Sequence, residues 1–182
     1  GFCAWHSELD DKDLPFDARS FLEERAKAGL TCEHFVLSGI DLFRANLSGI
    51  DLRGAMLDGV DLALADLRKA DLARANLTNA FLFRADLSAA NLSHAFLIGA
   101  DLSDAEVFGV SAEGIDAFDA DFRRANLAVA NLHKADLSYA VLTGARIKGS
   151  DLRQSNLHRT NLTAVDLDHV STEALDLSTA IR

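Results

Sequence analysis

The sequence predicts an all-β solenoid: a square coil whose backbone turns a corner every five residues from about residue 35 to the C-terminus. Three observations carry this. Leucine recurs at every fifth position from Leu37 to Leu102 without a slip. A small or apolar residue, most often alanine, stands two places before most of these centres, as at Ala45, Ala65 and Ala75. One place before stands Asp or Asn, as at Asp41, Asn46 and Asp51.

A period of five fits neither a helix nor a long strand. On a helix it would drift around the axis and never form a stripe. On a short extended side, however, a centre and the residue two before it face the same way. Four such sides close a coil of twenty residues. Val107, Ala112, Ala117 and Phe122 keep the register, and Leu127 to Leu177 complete it with Thr172 as the polar exception. At a coil spacing of about 4.8 Å, residues 35–182 give about seven coils, a rod of roughly 35 Å. Large Leu at one inward position and small Ala at the other share the narrow interior. Asp and Asn beside the corners accept backbone N–H groups that the turn leaves free.

The units Ala65-Asp66-Leu67-Arg68-Lys69, Ala75-Asn76-Leu77-Thr78-Asn79 and Ala135-Asp136-Leu137-Ser138-Tyr139 resemble the A(D/N)LXX signature of the pentapeptide-repeat family. The resemblance covers about four-fifths of the chain. It implies a right-handed quadrilateral β-helix; the periodicity alone does not give the hand.

Residues 1–34 read as a leader, and 14–29 within it as a helix. Pro15 suits the first turn, Asp17 complements the helix N-terminus and Gly29 suits a C-cap. Leu14, Ala18, Leu22 and Ala26, with Phe21 alongside, make an apolar face. The expected role is a lid on the first coil, whose open end would expose apolar core and unpaired backbone, with a separate membrane or partner helix as the alternative. At the other end the register runs through Leu175, Leu177 and Ala180 with no comparable lid. Two explanations stand: a homodimer formed through the C-terminal coils, or a chain that is part of a longer protein.

The charge is −10, from 28 acidic and 18 basic side chains. That argues against binding a phosphate backbone directly and leaves room for basic partners. The longest apolar runs fall far short of a membrane span. With only Cys3 and Cys32 there is no disulfide framework in the repeat, so a cytoplasmic location is expected, although a removed targeting segment and a Cys3–Cys32 bridge both stay open.

Four candidate features follow. Cys3, His6, Cys32 and His34 have metal-ligand residue types, but the spacing is unlike that of zinc sites and two unconnected pairs is the simpler reading. Position modulo twenty puts Phe43, Phe81 and Phe83 on one outward side and Met56, Phe96, Ile98 and Phe118 on the next. Such clustered apolar groups suit a partner-docking patch with aromatic anchors; scattered exposure or contact with the leader is the alternative. Asp41, Asp61, Asp101 and Asp121 stack as an acidic ladder, and Asp66, Asp86, Glu106 and Asp166 as another. Some members of the family that the chain resembles mimic DNA and bind type II topoisomerases such as gyrase. Here Phe81 and Val141 interrupt the ladder, Arg44, Arg84 and Arg124 share its side, and corner capping explains the carboxylates as well. Finally, the small centres Val107, Ala112 and Ala117 predict a local failure of regular geometry between Glu106 and Phe118, with Phe108 and Phe118 swinging in to fill space.

No cofactor motif, phosphate-binding loop or nucleophile elbow is present, and His94, His133 and His158 lack placeable catalytic partners. The functional expectation is a non-catalytic, protein-binding scaffold with an unidentified partner. Gyrase-binding DNA mimicry, or the targeting or scaffold part of a longer effector or enzyme, are the alternatives.

Overall fold

The computed structural model describes residues 17–173 and 175–181. Its main ladder is parallel and has a period of twenty. Thr31 pairs with Asp51, Val36 with Met56, Asp41 with Asp61 and Asn46 with Asp66, and the four columns run on to Ser171, Asn156, Ile181 and Arg146 respectively. The first side of each coil is therefore 31–35 and its equivalents, the second 36–40, the third 41–45 and the fourth 46–50. Each side contributes one bridging residue rather than an extended strand, because five residues leave room for little else between corners.

Hydrogen bonding repeats with the same period. The Leu42 N–H donates to the Asp61 carbonyl (2.7 Å), the Arg44 N–H to Ala63 (2.9 Å) and the Asp61 N–H to Ile40 (3.0 Å). The Ala45 N–H closes the corner on the Leu42 carbonyl at 2.9 Å. From residue 29 to residue 169 every fifth residue is left-handed, with φ between 55° and 75°. Glycine reaches this region without strain, but Arg, His, Asn and even the β-branched Val129 occupy it here.

The core is one continuous column. Leu42, Leu47, Leu67, Leu87 and Leu137 are fully buried, with Ala45, Ala75 and Ala95 beside them. The ladder starts one unit earlier than the leucine pattern suggested: Thr31 pairs with Asp51, and Cys32 takes a centre position with no exposed surface. Cysteine does this readily, because a buried thiol packs as a small apolar group. Burial also pushes the Cys32 thiol above its usual range.

The segment 106–118 keeps its bridges and its coil-to-coil hydrogen bonds, but its corners loosen: the Ile115 N–H stands 3.5 Å from the Ala112 carbonyl, and Val110 lacks the corner bond that Ala45 makes to Leu42. Phe108 and Phe118 do not swing in; they stay on the surface, 47% and 41% exposed. An exchange of volume within a unit fills the space instead. Val110 and Ile115 fill the position where alanine is usual, against the small centres Ala112 and Ala117. Ser150, Ser155 and Thr160 take the same inward position further on, and their hydroxyls are satisfied by backbone carbonyls, as in Thr160 to Leu137 at 2.7 Å.

Helix α1 runs from Ala18 to Lys27. Asp17 is its N-cap, its carboxylate accepting the Arg19 N–H, rather than a residue inside the first turn as expected. Pro15 and Leu14 lie outside the described residues. Leu22 is fully buried in the same core as the coils. Arg19 donates to the Arg44 carbonyl (3.0 Å), and Glu23 accepts the Asn46 N–H (2.8 Å). Arg25 lies over Phe21 and Phe35 at 5.5 and 5.4 Å, and its Nε donates to Cys32 Sγ. At the far end Leu175, Leu177 and Ala180 are half-buried against the core, and Asp151–Ser171 and Asn161–Ile181 carry the pairing into the last coil.

Candidate protein-docking surface

Along the first side, corner side chains fold onto the next coil. The His34 ring lies over Gly54 and His94 over Gly114; a Cβ on those glycines would fall 2.5 and 2.7 Å from the imidazoles. His34, Gly54, Arg53 and Arg74 line a shallow groove of about 260 Å³. Its Arg53 is bound to Glu33 and Asp51 and approaches Asp71 at 3.7 Å, so its charge is matched within the coil. No large apolar side chain is exposed on this side among the described residues.

The second and third sides differ. Phe43, Phe81 and Phe83 are exposed on the third, at 41%, 55% and 39%. Met56, Phe96 and Phe118 are exposed on the second. Ile98, between Thr78 and Phe118 in its column, is half-buried instead of exposed. Leu64 joins the third side. Val36 and Tyr139 join the second. Tyr139 packs on Phe118 with centroids 5.3 Å apart, takes the His158 ring edge-on at 5.7 Å and lies under the Arg159 guanidinium at 5.7 Å. Sequence reading missed this strip, although counting by twenty puts Tyr139 one coil beyond Asp119, the neighbour of Phe118.

The acidic ladder is built mainly from corner caps. Asp41, Asp61, Asp101 and Asp121 each accept the N–H two residues on, at 2.9 Å. Asp121 also pairs with Arg123, and Arg124 grips Asp104 with two hydrogen bonds that hold its carboxyl below the usual range. On the fourth side Arg68 binds Asp66 and reaches towards Asp86, while Arg146 stands 3.5 Å from Glu106.

Of the metal-type set, Cys3 and His6 lie outside the described residues. Cys32 is in the core and His34 on a corner, and no group of three or more His, Cys, Asp or Glu among the described residues could hold a metal ion. His158 Nδ1 contacts Thr179 Oγ1 at 3.2 Å, and His133 Nδ1 is buried without a partner. Neither stands beside a nucleophile paired with a carboxylate.

The profile of pentapeptide repeats matches in eight copies, spanning residues 36–107 and 118–171. The chain belongs to the pentapeptide-repeat family. The unmatched interval between those spans is the one where large and small inward residues change places. Among solved structures, the pentapeptide repeat protein HetL of the cyanobacterium Nostoc, involved in heterocyst differentiation regulation, is 25% identical over 87% of this chain and 92% of its own, with a TM-score of 0.42. Rfr23 from the cyanobacterium Cyanothece is 23% identical, covering 89% and 97%, with a TM-score of 0.31. QnrB1, a plasmid-mediated fluoroquinolone resistance protein, is 20% identical, covering 82% and 78%, with a TM-score of 0.43. No curated protein sequence matches the chain. Among the described residues no helix is long and apolar enough to cross a membrane.

Proposed function

We propose that this pentapeptide-repeat protein is a non-catalytic rod of about seven right-handed coils that docks another protein in the cytoplasm, with α1 as the lid of its first coil. The observation that carries the docking reading is the segregation of exposed apolar groups. Of fourteen large apolar side chains exposed among the described residues, ten lie on the adjoining second and third sides. Folding does not require this, since those positions face away from the core. Contiguous exposed apolar surface marks interaction sites, and aromatic anchors dominate them. A solenoid supplies a long, stiff face with fixed spacing for the purpose.

The test is affinity capture of a partner, followed by replacement of Phe81, Phe83 and Phe96 with Ser. The expected result is an unchanged circular dichroism spectrum and unfolding midpoint with loss of the captured partner. A folded triple variant that still captures the partner overturns the reading. DNA mimicry draws no support from the ladder on the third side, whose carboxylates cap their own corners, with Asp121 also paired to Arg123. A gyrase supercoiling assay separates the two readings, and inhibition would favour mimicry.

A further inference from the structure

We infer that the second side is the docking surface for a basic segment of the partner protein, an inference that rests on the docking reading above and names its chemistry. The second side carries five aspartates, Asp58, Asp116, Asp119, Asp136 and Asp176, against a single Lys or Arg, Arg159. The other three sides are close to balance. Their described residues hold six acidic and four basic groups on the first side, and five and four on each of the third and fourth. Among the described residues every ion pair between residues of the coils joins groups on those three sides. None of the five second-side carboxylates is in an ion pair among the described residues.

These charges are not all absorbed by corner capping. Asp116 accepts the Phe118 N–H, and Asp136 accepts the Ser138 N–H and hydroxyl and the Asn156 amide; all of these fall on Oδ1, which leaves acceptor capacity on Oδ2 of each carboxylate. Asp119 is exposed, one residue beyond Phe118 on the same corner. Phe118 and Tyr139 stand among these aspartates as a tilted aromatic pair. Arg159 already lies over Tyr139, so the ring accepts a guanidinium in this geometry. Arginine is the side chain that stacks on an aromatic face and also bonds a carboxylate bidentately. One side of uncompensated negative charge also speeds encounter with a cationic segment and fixes its orientation.

The probe is a fluorescent peptide of alternating arginine and alanine, with citrulline replacing arginine in a neutral control. One variant of the full chain carries Asp116→Asn, Asp119→Asn and Asp136→Asn. These are mild changes, because Asn76, Asn79 and Asn156 occupy the same columns. A second variant carries Asp41→Asn, Asp61→Asn and Asp101→Asn on the third side, with the same change in net charge. Binding of the arginine peptide is expected to weaken by about tenfold or more in the first variant and by less than about threefold in the second. Phe118→Ser with Tyr139→Ser is expected to weaken it by at least about fivefold. Equal losses in the two aspartate variants, no saturable binding, or equal binding of the citrulline peptide overturns the inference. If the captured partner needs Phe81 and Phe83 but ignores the second-side aspartates, the docking reading stands and the basic-segment inference falls.

Discussion

The carboxylate of Glu23 stands where a preceding coil's carbonyl would stand for Asn46. Further along that column Asp66 donates its N–H to Ala45 and Asp86 to Ala65, each a residue twenty-one places earlier. Asn46 donates to Glu23 Oε1 at 2.8 Å instead.

Removing that acceptor should be costly for a surface substitution. Glu23→Ala is expected to lower stability by about 1.5–3 kcal/mol, the scale of a hydrogen bond to a charged group. Glu23→Gln, which keeps an acceptor, should lose less. The Asn46 N–H holds the Glu23 carboxyl below its ordinary value, with Arg19 assisting. Its contribution is therefore complete above the unfolded carboxyl range near pH 4.5 and is lost as pH falls through the lower folded value. Urea midpoints of the three proteins should converge as the pH drops below that window. A Glu23→Ala midpoint equal to wild type at pH 7 would contradict the assignment.

Val129 is a β-branched residue held at φ 60°, where its side chain finds few comfortable rotamers. Asparagine tolerates this region and already occupies a corner at Asn79. Val129→Asn is expected to stabilise the chain by about 1 kcal/mol. A chemical melt in which the midpoint falls would show that Val129 packing over Gly149 outweighs the backbone term.

Two glycines separate backbone strain from side-chain crowding. Gly59 has φ 65° and open space where a Cβ would stand, whereas Gly54 has φ 63° with the His34 ring in the way. Gly59→Ala should cost about 1 kcal/mol from the left-handed backbone alone. Gly54→Ala should cost more, and the excess should vanish in the His34→Ala background. Equal losses in all backgrounds would mean the imidazole moves aside freely.

The volume exchange near residue 112 invites a paired experiment. Ala112→Leu alone overfills a unit that already holds Val110, and about 1–3 kcal/mol of destabilisation is expected. Adding Val110→Ala restores the common arrangement and should recover most of that loss. Additive losses measured by thermal unfolding would indicate that the two side chains fill separate spaces.

The repeat made the core legible, because inward positions obey one rule: Leu67, Leu87 and Leu127 could be assigned by counting. Counting by twenty also put Phe81 and Phe96 on adjoining sides. It foresaw looser corners around Ala112 but not how the space is filled, since Ala112 read alone looks like a void and only Val110 in the same unit shows otherwise. The start of the ladder was hidden because Cys32 is not leucine, although it stands five before Leu37. The strip around Tyr139 was missed because outward residues follow no rule of their own. Their contacts depend on which side chain leans onto which coil, and a linear pattern does not record that.

Arg25 and the first coil shut Cys32 away, with its thiol buried and its sulfur taken up by a guanidinium N–H. Cys32 thereby becomes a timer for the detachment of α1. In a Cys3→Ser background, the rate at which a thiol reagent modifies Cys32 counts how often the helix lifts, and the ratio to an unprotected thiol gives the free energy of that opening. Fraying at one end of the rod is then readable separately from global unfolding, with a residue the chain already carries.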